Sequence, residues 1–298
     1  MTYFDAPYRP ADLTLNSDAI NNDLVGFWPL TDGSGTSAVD VSTGGNSGTI
    51  VNGTYQVGDG GTELYLSGSS SAVDLGDLSL NTSTAFTVTA WIDGTYGSNN
   101  QIVCRDEYSV SRHWQFRTDT SSRLNLIRFN SGGGVVANFS GSTSLTDGER
   151  YFVAFTFDTI NGSVIYLNGN VDATNSSTNA NNSGTGTEIL IGAFQQNGFT
   201  TCMPAGFQNV RIFDAALTAA QVEQLYTRPW TGTNYDTEAL WLSPPASPVI
   251  SSASEATSIM TDCVGWWPLT NGSGSGAVDI VGTNDGTLNG GATWSNTS

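Results

Sequence analysis

Thr84–Asp93 reads TAFTVTAWID. Phe86, Val88, Ala90 and Ile92 alternate with Thr87, Thr89 and Trp91, and a period of two places the two sets on opposite faces of a half-buried β-strand. Further along, Tyr151–Asp158 (YFVAFTFD) is apolar at almost every position, as a central strand covered on both sides requires. It runs through DTINGS into Ser163–Gly169 (SVIYLNG), and Asn161-Gly162 suits the positive φ of a tight hairpin turn. Outward from these strands, residues 23–226 alternate apolar runs with turn clusters, among them GFWPL, TELYL, HWQFR, RLNLIRF, EILIGAF and QNVRIF. One helix is expected. Thr218 caps it, Gln221 stands three residues on as its capping-box partner, Leu217 staples onto Val222, and the helix ends near Tyr226.

Composition agrees with an all-β chain. Gly reaches 35 of 298 residues and only 12% are charged, which favours many turns between short strands. Nine basic against 27 acidic residues give a formal charge of -18. Such a chain repels nucleic-acid phosphates and anionic membranes and stays soluble at high concentration, so no nucleic-acid partner is expected. The opening MTYFDAPYRPADLTLNSD has no basic segment followed by an apolar one, and no run of about 18 apolar residues occurs, so neither a secretion leader nor membrane insertion is expected. Cys104, Cys202 and Cys263 lack metal-site spacing and are expected as unpaired thiols.

The chain also repeats itself. Asp23–Asp40 (DLVGFWPLTDGSGTSAVD) returns as Asp262–Asp279 (DCVGWWPLTNGSGSGAVD), and the likeness continues more loosely from NSGTIVNGTY to NDGTLNGGATW. Four regions result: a lead segment 1–22, a sandwich 23–226, a Ser/Pro/Ala-rich extended linker 227–261 and a partial repeat 262–298. About 36 residues cannot close a sandwich, yet Trp266, Trp267, Pro268 and Leu269 need cover. They are expected to act in assembly, as a strand donated to another copy; docking on the chain's own sandwich, or the start of a further module, are the alternatives.

The succession LVGFWPLTDGSG, AVDVSTGGNSGT, AFTVTAWI, DGERYFVAFTFD, GSVIYLNG, ILIGAF and FQNVRIFDAALTAAQVEQLY resembles the landmarks of laminin-G-like domains of the concanavalin A-like lectin/glucanase superfamily, of the kind found in phage virion proteins. The resemblance implies an antiparallel two-sheet jelly roll with GFWPL near QNVRIF, serving to bind glycans or proteins or to stabilise an assembly. It also implies a structural calcium near Asp40 and Asn46, although Gln208 and Asn209 stand where relatives often carry a carboxylate; a turn cap is the other role for Asp40. The superfamily's glucanases carry an E-x-D-x-x-E strand that this chain lacks, so no enzyme is expected. The adjacent Asp106 and Glu107 read as a solvated strand end, and the lone His113 has no triad motif around it. Trp114, Tyr108 and Tyr96 are the candidate glycan-contacting aromatics. With LYTRPW and the YRP-containing lead, the resemblance points to a virion surface, as capsid decoration or fibre-like component; a secreted adhesin module is the alternative. Partners are then other copies, other virion proteins and surface glycans.

Overall fold

The computed structural model describes residues 23–227, apart from 69, 79, 81–83, 109, 183, 186 and 197, together with 276–277 and 286–287. The chain divides into two units, Met1–Ala239 and Leu240–Ser298. The first unit opens with β1 (Leu24–Trp28), β2 (Ser37–Ala38), β3 (Gly48–Val51), β4 (Gly53–Gly58), β5 (Gly61–Ser67) and β6 (Ala72–Asp74). Long strands follow: β7 (Ala85–Gly94), β8 (Gln101–Glu107), β9 (Ser111–Thr118), β10 (Arg123–Phe129), β11 (Val135–Ser144) and β12 (Arg150–Asp158). The series closes with β13 (Gly162–Leu167), β14 (Asn170–Asn175), β15 (Leu190–Ile191), β16 (Phe194–Gln195), β17 (Phe199–Thr200), β18 (Pro204–Phe213) and the helix α1 (Ala219–Thr227).

These strands make the expected two-sheet jelly roll. One sheet has the order β14-β13-β12-β7-β18-β5-β4, with β1 also paired to β18; the other runs β11-β10-β9-β8-β15-β6-β3-β2 and carries the β16–β17 hairpin on β8. GFWPL therefore does lie beside QNVRIF, with Phe27 opposite Arg211. Phe86, Val88, Ala90 and Ile92 of β7 are buried between the sheets with Val153, Phe155 and Phe157 of β12. The other face of β12 is apolar because α1 covers it: Phe152, Ala154, Val222 and Leu225 form a second buried cluster with Trp91 against it. Thr218 and Gln221 exchange the capping-box bonds, and Leu217 shares the cluster with Val222. Gly162 has φ 86° at the β12–β13 turn, where the Asp158 carboxylate accepts the N–H groups of Ile160 and Asn161.

The GFWPL motif has a steric logic. A Cβ on Gly26 would stand 2.3 Å from the indole of Trp28, so the missing side chain is what lets that ring lie along its own strand. Trp28 Nε1 then donates to the Asn46 carbonyl (2.9 Å), and the Asn46 side-chain amide donates to the Val25 carbonyl (2.8 Å). The motif thus closes on the 40–46 loop, which explains why both travel together in the repeat. In the second unit, β19 (Gly276–Ala277) pairs with β20 (Gly286–Thr287), Gly276 opposite Thr287 and Ala277 opposite Gly286. Ser37 opposite Thr49 and Ala38 opposite Gly48 are the equivalent pairs of the first copy. The repeat therefore reproduces this hairpin's register. Residues 1–22, the linker from 228 on, Cys263 and the assembly residues Trp266, Trp267, Pro268 and Leu269 lie outside the described residues. Cys104 and Cys202 are buried free thiols.

Candidate functional site

The outer face of β8–β11 is polar for a reason that lies in register. Gln101 stands opposite Arg117, Arg117 opposite Asn125 and Asn125 opposite Ser140, one row across four strands. Cys104, Gln115, Ile127 and Asn138 form a second row. Asp106 and Arg112 face each other in a third, with Phe129 and Val135 beyond them. Simple alternation along β9 would put Arg112 on the same side as Trp114, toward the core. A bulge prevents this: Arg105 pairs with Trp114 and Asp106 with Arg112, leaving His113 without a cross-strand partner. Parity changes at that residue, so Arg112, Gln115 and Arg117 all face outward.

His113 holds the bulge from the inside. Its Nδ1 contacts the Asn182 carbonyl (3.1 Å) and its Nε2 the Ser111 hydroxyl (3.0 Å), and it is fully buried. A carbonyl only accepts, so Nδ1 carries the proton and Nε2 accepts from Ser111. Burial, helped by the neighbouring charge of Arg105, pushes the His113 pKa down to about 4, against the smaller opposing pull of Asn182 and Asp77. The unfolded chain takes up this proton near pH 6.5 and the folded chain only near 4, so this contribution to stability is whole above 6.5 and is lost as pH falls toward 4. The loss amounts to about 3 kcal/mol at most. Urea unfolding at pH 7 and pH 4.5 is expected to show a smaller drop for His113→Asn than for the parent; equal drops would assign the acid sensitivity elsewhere. Glu63 and Asp93, whose carboxyls burial raises, titrate in the opposite sense in both proteins.

Gln101 and Arg117 of the first row, Gln115, Ile127 and Asn138 of the second, and Arg112, Phe129 and Val135 of the third floor a groove of about 320 Å³, walled by Phe194, Gln196 and Thr201 and by Tyr108. Arg112 lies 3.9 Å over the Phe129 ring and 5.3 Å from that of Tyr108, and its guanidinium pairs with Asp106 at 2.9 Å. Gln115 donates to the same carboxylate. Asn125 accepts from Arg117 Nε (2.9 Å) and donates to Asn138, Ser140 and the Phe139 carbonyl. Cys104 is closed off beneath the hairpin, its thiol donating to the Ala193 carbonyl. The result is a trough of amides, guanidinium groups and ring edges, a surface suited to hydroxyl-rich ligands.

Of the three aromatics expected here, Tyr108 fits: it is 50% exposed and lines the groove. Trp114 does not. It is fully buried between the sheets, 5.3 Å from Phe86 and 5.6 Å from Phe155, because it alternates with Gln115 and Arg117 toward the core. Tyr96 is also buried, its hydroxyl donating to the Glu149 carbonyl (2.6 Å) and its ring packed on Tyr151. Asp106 is no solvated strand end, being buried under Arg112 and Gln115. Sequence reading missed Gln101, Arg112, Gln115, Arg117 and Asn138. The alternation W-Q-F-R of residues 114–117 carried the signal for two of them; nothing local signalled the bulge that adds Arg112.

Asp40 and Asn46 do come together, but around backbone. The Asp40 carboxylate accepts N–H groups from Phe27 (2.9 Å), Ser42 (2.9 Å) and Asn46 (2.7 Å), and the Asn46 side chain turns its nitrogen to Val25. A hard cation needs several oxygens facing one point. This pair presents donors to oxygens already used, and no cluster of three or more carboxylate, histidine or cysteine side chains occurs among the described residues. The residues do not fit calcium.

A two-sheet jelly roll is an architecture that lectin-type domains share. The family model described as concanavalin A-like lectin/glucanases superfamily matches residues 67–223, and the chain belongs to that superfamily. Among solved structures, it is similar to domain 4 of AbnA, an extracellular arabinanase of Geobacillus stearothermophilus solved with arabinotriose. That match has 17% identity and a TM-score of 0.55 and covers 68% of this chain and 98% of that one. The binding domain of Paraclostridial Mosquitocidal Protein 1 matches at 13% identity and TM-score 0.56, over 70% of this chain and 52% of that one. Trypanosoma rangeli sialidase matches at 14% identity and TM-score 0.54, over 72% of this chain but 34% of the sialidase. At these identities the likeness is one of fold. The search of curated proteins returned no match.

Proposed function

We propose that the jelly roll is a non-enzymatic glycan-binding module displayed on the outside of a particle, as a virion decoration or fibre-like component, the other setting being an extracellular adhesin. The observation that carries the binding reading is the groove over β8–β11, with Tyr108 exposed on its wall beside the stacked Arg112 and Phe129. The bound arabinotriose of the similar arabinanase domain supports the ligand class. Glycoside hydrolysis uses two carboxyl groups about 5–10 Å apart across the scissile bond. No carboxylate lines this groove among the described residues, and the nearby Asp106 is engaged with Arg112 and Gln115, which favours binding over turnover. Saturable binding on a glycan array, lost in Tyr108→Ala, is the expected result; a blank array would end this reading. The virion setting rests on sequence likeness alone, and absence of the protein from purified particles would remove it.

Self-association is part of the same proposal. β1 is held by its pairing with β18, by Arg211 stacked 3.7 Å over Phe27, and by the Asp40 and Asn46 contacts. The repeat keeps the equivalents Val264, Gly265, Trp266, Trp267, Asp279 and Asn284. A seat that accepts the first copy therefore suits the second, in the manner of a donated strand. Light scattering is expected to give a multiple of the chain mass for the full chain and a single chain mass for a version ending at Trp230; the same number of chains in both would exclude donation.

A further inference from the structure

We propose that the groove selects a carboxylate-bearing sugar, read by Arg117; this rests on the glycan-binding reading above. The chain has no lysine and nine arginines in a net charge of -18, so each exposed cation is exceptional. Arg105, Arg128 and Arg211 are fully buried. Arg123 pairs with Asp119, Arg112 with Asp106, and Arg150 donates to Gln208 while lying 3.8 Å over Trp91. Arg117 differs. Its Nε donates to the neutral Asn125 side chain, and among the described residues it forms no ion pair and its terminal nitrogens have no acceptor. Asp119, the nearest acidic influence on it, is spent on Arg123, Ser140 and two backbone N–H groups.

A second observation lies directly across the strand pair. Gln101 is 1% exposed, lines the same groove, and its Oε1 has no hydrogen-bond partner while its Nε2 donates to the Asn99 carbonyl. A buried acceptor without a donor is costly, and a ligand hydroxyl would satisfy it. The planar fork of a guanidinium matches a carboxylate with two parallel hydrogen bonds. Arg117 and Gln101, facing each other in one row, therefore specify a ring that carries a carboxylate beside a hydroxyl, the chemistry of a uronic acid. Because the rest of the protein is strongly acidic, diffuse repulsion of a polyanion opposes such binding, and the selectivity must come from this contact.

The test uses the full chain and calorimetric titration with short glucuronic and galacturonic acid oligomers beside their carboxyl-reduced, neutral counterparts. The acidic oligomers are expected to bind at least about tenfold tighter, as a charge-assisted pair is worth. R117Q is expected to remove that preference, the acidic oligomers then binding no tighter than the neutral ones, and R117K to restore part of it. Equal affinity for both sets, or an acid preference that survives in R117Q, overturns the inference and leaves the groove as a neutral-glycan site. Binding of neither set overturns this inference together with the groove reading.

Discussion

Asp40→Ala is expected to lower the melting temperature by roughly 10 °C. The carboxylate is 8% exposed and gathers three backbone N–H groups that belong to β1 and to the 42–46 loop. Hydrogen bonds to a charged acceptor contribute roughly 1.5–3 kcal/mol each. Two of the three donors can turn to water when the acceptor is removed; that of Phe27 is buried and cannot. The net cost is therefore about 3–4 kcal/mol, and in a domain near 200 residues each kcal/mol moves the midpoint by about 2–4 °C. Asp40→Asn keeps one oxygen for Phe27 and Ser42 but turns an amide against the Asn46 N–H, so about half the loss is expected. Thermal unfolding followed by tryptophan fluorescence reports directly, since Trp28 is tied to the same loop. Millimolar calcium is expected to leave all three midpoints unchanged; a rise confined to the parent would show that the loop does hold a cation.

Trp114→Ala and Tyr108→Ala are expected to fail in opposite ways. Removing the Trp114 indole empties the space beside the Phe86–Phe155 pair and costs about 3–5 kcal/mol, whatever ligand is present. Trp114→Phe is the control. The indole Nε1 is buried without a partner among the described residues, so the smaller ring gives up volume but also relieves an unsatisfied donor, and a change within about 1.5 kcal/mol is expected. Tyr108→Ala removes a half-exposed ring and is expected to leave the midpoint within about 2 °C while weakening glycan binding about tenfold or more. If Trp114→Phe abolished binding at unchanged stability, or Tyr108→Ala bound normally, the groove over β8–β11 would be the wrong face.

Much of this architecture is determined by the sequence alone. A period of two in TAFTVTAWID permits one arrangement, a strand with Phe86, Val88, Ala90 and Ile92 inward, since a one-residue slip would expose all four. Thr218, Gln221 and Leu217 determine the start of α1 because capping and stapling are contacts within one turn. Asp40, Gly26 and Trp28 act over a short span, and their recurrence in 262–279 announces that they act as a set. The site is different. That Trp114 is core and Tyr108 surface follows from which face of β9 meets the opposite sheet, and that Arg112 joins Arg117 outside follows from a bulge defined by β8 across the gap. The cover that makes YFVAFTFD apolar on both faces comes from a helix about sixty residues later. Local periodicity fixes the alternation of side chains along a strand and its apolar face; where that alternation breaks, and what covers the other face, is decided by elements distant in the chain.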